Sequence, residues 1–292
     1  MIAPRRRRTV LFVPAANQRA LAKSAGLPAD VLIFDLEDSA GPDEKDAARE
    51  RLRDHLTGLP PGGPERVVRI NPLESPHGTE DLLMARAVFP DAILLPKVES
   101  AGTLRDVSQA LAETDPPRPL PLWAMIETPR GLLAAPEIAR EGAGLSAPLE
   151  ALVVGPNDLV ATLGLRLSPG RPELVPYLSG VVLAARAHGL DALDGVFNRL
   201  DDDAALEAEA LQARGLGFAG KTLIHPGQIA PTLRGFAPTP AEIAEARAIV
   251  AAFAEPDVAA RGVVEVGGRM AERMHLDAAR RLLEETAGPD AH

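Results

Sequence analysis

Not one of the 292 residues is cysteine. Disulfide frameworks, thiolate metal sites and cysteine nucleophiles are thereby excluded. Long apolar runs are missing as well, and none approaches the ~20 residues that a membrane-crossing helix needs. The opening MIAPRRRRTVLFVPAANQ joins a basic stretch to an apolar part of only about five residues, too short for a secretory signal. A cytoplasmic protein is therefore expected. Positive charge is in deficit, with 31 Lys and Arg against 41 Asp and Glu and a net charge of −10. Such a chain is not expected to bind nucleic acid or an anionic membrane, because both need clustered positive charge. The run Arg5-Arg6-Arg7-Arg8 is a local exception, expected to be a solvated N-terminal segment. Aromatic residues make up only 3% of the chain, yet 46% is hydrophobic, ample for a sizeable core.

Short, continuous apolar runs alternate with longer helical patterns. The strand candidates are Thr9–Pro14, Val31–Leu36, Arg66–Ile70, Ala92–Lys97, Leu122–Glu127, Ala151–Gly155, Leu193–Phe197 and Lys221–Ile224. Apolar runs without alternation suit a parallel sheet covered on both sides. Helical periodicity falls between them at Asp43–Leu56, Ala101–Ala112, Pro136–Gly142, Val175–His188 and Asp203–Arg214. The α/β pattern predicts a (β/α)8 barrel over residues 1–235, a fold that commonly uses about 250 residues. A doubly wound open sheet is the alternative, but no glycine-rich phosphate fingerprint follows the first strand. Residues 236–292 form a C-terminal helical extension with helices at Pro240–Ala254 and Met270–Thr286. The intervening RGVVEVGGRM reads as a short hairpin or extended arm. The extension is not needed to close a barrel, so its apolar positions are expected to pack on the barrel or on a neighbouring subunit.

Barrel chemistry sits on the carboxyl ends of the strands. Here those ends carry Asp35-Leu-Glu37-Asp38, Arg69-Ile-Asn71, Lys97-Val-Glu99, Glu127-Thr128, Asn157-Asp158, Asn198 and His225. Each has an ordinary reading: Asp158 or Glu127 as a helix cap, Arg69 in a salt bridge to Glu37 or Asp38, His225 as a hydrogen-bonded loop residue. The joint pattern says more. Glu127 and Asp158 close the fifth and sixth strands, and neighbouring strands lie ~4.8 Å apart. Two carboxylates on one rim, with no softer ligand, suit Mg²⁺ completed by water and substrate. Arg69 has the planar fork that pairs a substrate carboxylate. Lys97, among several carboxylates, should keep its charge and play a structural or electrostatic part rather than form a Schiff base.

The segments TVLFVPAANQRALAKSA, DVLIFDLEDSAGPDEKDAAR, VVRINP, ILLPKVES, MIETPRGL, VVGPNDLVATLG and GFAGKTLIHPGQI, in this order, resemble the citrate lyase β-subunit-like proteins of the HpcH/HpaI aldolase superfamily, which includes malyl-CoA lyase. The likeness spans roughly residues 5–290. It implies a Mg²⁺-dependent barrel assembled as a homotrimer or dimer of trimers, with Glu127 and Asp158 as metal ligands. It also implies that Arg69 binds the carboxylate of an oxaloacetate- or glyoxylate-like keto acid, with Glu37 and Asp38 as acid/base candidates nearby. Arg19 would meet the phosphates of a CoA thioester. The implied reaction breaks or makes a C–C bond beside the thioester, a step in which a metal stabilises the developing carbonyl.

One departure stands out. Malyl-CoA lyase-like relatives carry G-x-M-I-D-x-P near the C-terminus, whose aspartate acts in a neighbouring subunit. This chain has Gly268-Arg269-Met270-Ala271-Glu272-Arg273-Met274, so Glu272 replaces the aspartate and the proline is missing. Two other functions stay open: an aldolase acting on free keto acids, and a partner-dependent or non-catalytic subunit.

Overall fold

The computed structural model describes residues 5–113, 118–255 and 262–286. The chain divides into two compact units, Met1–Phe236 and Ala237–His292. In the first, eight parallel strands pair in chain order: β1 (Thr9–Pro14), β2 (Val31–Asp35), β3 (Glu65–Arg69), β4 (Ala92–Leu95), β5 (Leu122–Ile126), β6 (Leu149–Val154), β7 (Asp191–Asp194) and β8 (Gly220–Leu223). Strand β8 pairs back onto β1, so the sheet is a closed barrel and not a doubly wound open one. The helices between strands are α1 (Gln18–Ser24), α2 (Lys45–Gly58), α3 (Gly78–Val88), α4 (Ala101–Ala112), α5 (Pro129–Gly142), α6 (Pro156–Leu163), α7 (Val175–Ala187) and α8 (Asp203–Leu216). Helix α9 (Ile229–Phe236) follows β8.

Continuous apolar strands make physical sense here because each has two buried faces. Along β2, Leu32 and Phe34 join the cluster between sheet and helices, whereas Val31 and Ile33 join a separate cluster inside the barrel with Val67, Leu94, Trp123, Met125, Val153 and Leu193. The two-residue period therefore sends alternate side chains to different cores. Toward the carboxyl end of the same inward rows the residues become Asp35, Arg69 and Glu127. The barrel interior is thus apolar in its middle and charged at its top.

The arginine run is solvated only in part: Arg5 and Arg6 are exposed, Arg8 is half-buried and Arg7 is not solvated. Arg7 is buried at the amino-terminal end of the barrel, where its Nε and Nη2 fork onto Glu65 at 2.9 and 2.8 Å. Nη1 reaches Asp191 at 3.1 Å and Nη2 reaches Glu150 at 2.5 Å, while the guanidinium lies 4.8 Å from the Trp123 ring. A buried cation needs partners, and three acids and an aromatic face provide them. Arg7 is a plug for the end of the barrel opposite the chemistry.

The second unit starts with α10 (Pro240–Phe253), held by a capping box in which Thr239 and Glu242 satisfy each other's backbone N–H groups. Strands β9 (Val263–Val266) and β10 (Arg269–Glu272) form an antiparallel hairpin, and α11 (Arg273–Thr286) follows. Gly267 and Gly268 both have positive φ, 57° and 77°, as a two-residue hairpin turn requires. Residues 270–272, expected at the start of the last helix, are therefore strand. No described helix is long and apolar enough to cross a membrane.

Candidate active site

The carboxyl-terminal rim gathers charge from the ends of five strands, β2 to β6. Asp35 ends β2 and Arg69 ends β3, and the parallel register sets them side by side. Arg69 Nε and Nη2 donate to the two Asp35 oxygens at 2.7 and 2.8 Å, a bidentate pair with both residues buried. Nη2 also reaches Asp38 Oδ2 at 3.2 Å, and Nη1 lies 2.8 Å from Glu37 Oε2. The guanidinium stacks 4.8 Å from the Phe12 ring. The fork expected to face a substrate carboxylate is thus already occupied by Asp35. Nη1 also donates to Met125 Sδ at 3.6 Å, so at most one Nη1 hydrogen is left for a substrate. Asp35 was not singled out from the sequence; its position two residues before Glu37, on the same face of the chain, was the available signal.

Glu37 is 7% exposed and meets two cations. Oε1 accepts from Lys97 Nζ at 2.8 Å. Oε2, close to Arg69 Nη1, lacks hydrogen-bond alignment and is a buried oxygen with no hydrogen bond. Burial pushes the Glu37 carboxyl above its ordinary range, and Arg69 and Lys97 only partly offset it. Asp38, by contrast, has a side chain 74% exposed at the mouth.

Glu127 follows β5 and is buried, with Oε1 accepting from the Lys97 backbone N–H at 2.7 Å. It is not a helix cap: that role belongs to Thr128, whose Oγ1 accepts from Gly131 N at 3.0 Å. Burial, then the neighbouring Glu37 charge, pushes the Glu127 carboxyl up to about 7; Asp158 adds to the rise, and the Lys97 N–H and Arg69 oppose it. Room for this side chain exists because residue 155 is glycine. A Cβ there would sit 2.4 Å from Glu127 Cβ and 2.5 Å from Oε2. Asp158 is exposed in the first turn of α6, after the cap residue Gly155, close enough for its charge to act on both Glu127 and Lys97.

This cluster fits a divalent cation. Burial and the Glu37 charge raise the proton affinity of Glu127, and every ligand atom on offer is a hard carboxylate oxygen. Among the described residues no group of three or more His, Cys, Asp or Glu side chains is arranged as a metal cage. The ion that suits two carboxylates plus water and substrate oxygens is Mg²⁺.

Arg19 is exposed in α1, where its backbone N–H donates to Asn17 Oδ1. Glu272 ends β10 in the second unit, exposed, with its N–H donating to His275 Nδ1 at 2.9 Å. His225 caps a short turn by accepting from Gly227 N at 3.1 Å, an ordinary loop role. Asn157 and Asn198 pair their amides across the loops after β6 and β7 at 2.7 Å. Asn71 is locked by Asp81, which Arg49 holds in turn. A cavity of about 510 Å³ opens at the other end of the barrel beside Arg5, Asp30, Glu65 and Arg66, away from these groups.

Residues 8–226 match the model of the HpcH/HpaI aldolase/citrate lyase family. A (3S)-malyl-CoA thioesterase of Cereibacter sphaeroides is 43% identical over 94% of this chain and 93% of its own length. Citrate lyase subunit beta of Escherichia coli is 35% identical over 96% of this chain and 93% of its own. Among solved structures, Mycobacterium tuberculosis CitE in complex with magnesium, acetoacetate and coenzyme A superposes with a TM-score of 0.78 at 33% identity, covering 96% of this chain and 98% of that one. The citrate lyase beta subunit of the same organism, complexed with oxaloacetate and magnesium, gives a TM-score of 0.65 at 35% identity, covering 79% and 97%. With its closed barrel, charged rim and these likenesses over nearly its whole length, the chain belongs to the HpcH/HpaI aldolase/citrate lyase family.

Proposed function

We propose that the protein is a cytoplasmic, Mg²⁺-dependent carbon–carbon lyase acting on a 3-hydroxyacyl-CoA of the malyl- or citryl-CoA kind, giving a keto acid and an acyl thioester. The observation that carries this reading is the gathering of Glu127 and Asp158 beside Glu37, Arg69 and Lys97 on one rim. Support comes from the relatives named for malyl-CoA and citrate, and from the neighbours holding magnesium with coenzyme A or oxaloacetate. Glu127 and Asp158 would hold the cation. When bound, Mg²⁺ supplies Lewis acidity toward the substrate hydroxyl and the carbonyl it becomes. Glu37 is the carboxylate placed to take the hydroxyl proton: it is buried, its proton affinity is raised, and it is not consumed as a helix cap. Loss of that proton lets the C–C bond break, its electron pair passing into the thioester enolate, whose carbon then takes a proton from an acid such as the now protonated Glu37 or Glu272. Arg69, clamped by Asp35, fixes Glu37 and offers its remaining N–H to the substrate. Arg19, exposed after β1, is the candidate for the CoA phosphates. We further propose a homotrimer or dimer of trimers in which residues 236–292 pack on the barrel or a neighbour and bring Glu272 to an active site.

A second reading, thioester hydrolysis, is favoured by the name of the relatives at 42–43% identity. One experiment separates them. Incubation with (3S)-malyl-CoA, with and without Mg²⁺, should release glyoxylate and acetyl-CoA for the lyase, or malate and free CoA thiol for the hydrolase. Absence of both products from malyl-CoA, and of oxaloacetate from citryl-CoA, would overturn the reading. Light scattering showing a monomer would overturn the assembly.

A further inference from the structure

Lys97 stands out at the rim by its backbone. It is one of three non-glycine residues with positive φ among those described, at 49°, a region in which a Cβ crowds the main chain. Glycine would occupy that conformation without strain. The strained residue carries two contacts at once. Its backbone N–H grips Glu127 Oε1 at 2.7 Å, while its Nζ grips Glu37 Oε1 at 2.8 Å. The ammonium also feels the charges of Glu127 and Asp158. Glu37, Glu127 and Asp158 thus share Lys97 as a nearby positive charge, while Asp35 and Asp38 pair with Arg69. With Arg69 at its other oxygen, Glu37 is held by cations on both sides.

This solves a problem that the carboxylate count raises. A buried Glu37 beside Glu127 and Asp158 would be a third ligand for a divalent cation. A carboxylate bound directly to the ion is a poor proton acceptor. We propose that Lys97 is a positioning residue that holds Glu37 off the metal, dividing the carboxylates into two ligands, Glu127 and Asp158, and one proton carrier, Glu37. The inference rests on the metal reading above and deepens it.

The test is calorimetric titration of Mg²⁺ into the full-length protein without substrate, alongside turnover of the acyl-CoA. Lys97→Met keeps the Cβ and an unbranched chain one atom shorter but removes the charge, so Glu37 is released toward the cation and a repelling charge is lost. Mg²⁺ should bind about tenfold more tightly, while turnover falls by on the order of 100-fold. Lys97→Arg, which restores a cation, should return Mg²⁺ affinity toward wild type and recover part of the activity. If Lys97→Met does not fold, Lys97→Gly relieves the backbone strain, equally lacks the ammonium, and carries the same expectation. Wild-type or weaker Mg²⁺ affinity in the charge-free variant overturns the proposal alone. A wild-type chain that takes up no Mg²⁺ at millimolar concentration overturns the metal reading, and this inference with it.

Discussion

Gly155→Ala offers a sharp probe of where the Glu127 carboxylate lies. The backbone at this position, φ −104° and ψ 87°, suits alanine as well as glycine, so the substitution introduces no main-chain strain. It does introduce a Cβ 2.4 Å from Glu127 Cβ. Ordinary carbon contacts are about 3.5–4.0 Å, so one partner must move by more than about 1 Å. The obstructing atom is at the base of the side chain, so a rotamer change cannot clear it, and the carboxylate must shift with the strand end. Overpacking of this kind costs roughly 1–3 kcal/mol in stability. Misplacement of a catalytic group by about 1 Å costs on the order of 100-fold in rate. The variant should therefore fold, melt a few degrees lower, and lose about two orders of magnitude in Mg²⁺-dependent turnover. Gly180→Ala in the exposed face of α7 is the control, because nothing lies within 4 Å of its added Cβ. It should leave turnover unchanged and gain about 0.5–1 kcal/mol. A Gly155→Ala protein with wild-type turnover and Mg²⁺ affinity would refute the placement of Glu127.

Arg69→Lys should lower stability by roughly 1.5–3 kcal/mol, because one ammonium cannot replace the charge-assisted pair to Asp35 while also meeting Glu37; urea unfolding that matches wild type would contradict this. Asp194 is fully buried between Lys221 and Arg171, at 2.8 and 2.7 Å; burial opposes its charge, but the two cations hold its carboxyl below the ordinary range. A folded pKa below the unfolded value of about 3.9 means that its stabilisation is complete above that value and is lost as pH falls through the folded pKa. Asp194→Asn should then cost roughly 3–5 kcal/mol at pH 7, with the gap to wild type closing in acid, and equal unfolding midpoints at pH 7 would refute it. For Glu272, turnover of the Asp and Ala variants should separate two roles: a gain with Asp and a loss with Ala supports a displaced acid, and no effect of Ala removes it from the mechanism.

The barrel was legible because strands buried on both faces must be continuously apolar, and such runs are easily seen between helical patterns. What escaped was polar structure with distant partners. Strands β6 and β7 begin two residues earlier than their apolar runs, at Leu149 and Asp191, because Glu150 and Asp191 find Arg7, 143 and 184 residues away. Helix α5 begins at Pro129 and not at Pro136, since Thr128 caps it and the later proline is tolerated inside. At the site, Glu127 and Asp158 were legible from their places after adjacent strands. Asp35 was not, because its claim on Arg69 depends on the β2–β3 register, which puts residues 34 apart face to face. The strain at Lys97 is likewise a property of the folded loop that no residue type announces.

Mg²⁺ titrated calorimetrically into the wild-type, Glu127→Gln and Asp158→Asn proteins tests the central claim most directly. The account predicts one site in the wild type and loss of that site in both variants, each retaining its fold by circular dichroism. Unchanged Mg²⁺ affinity in either variant would contradict it.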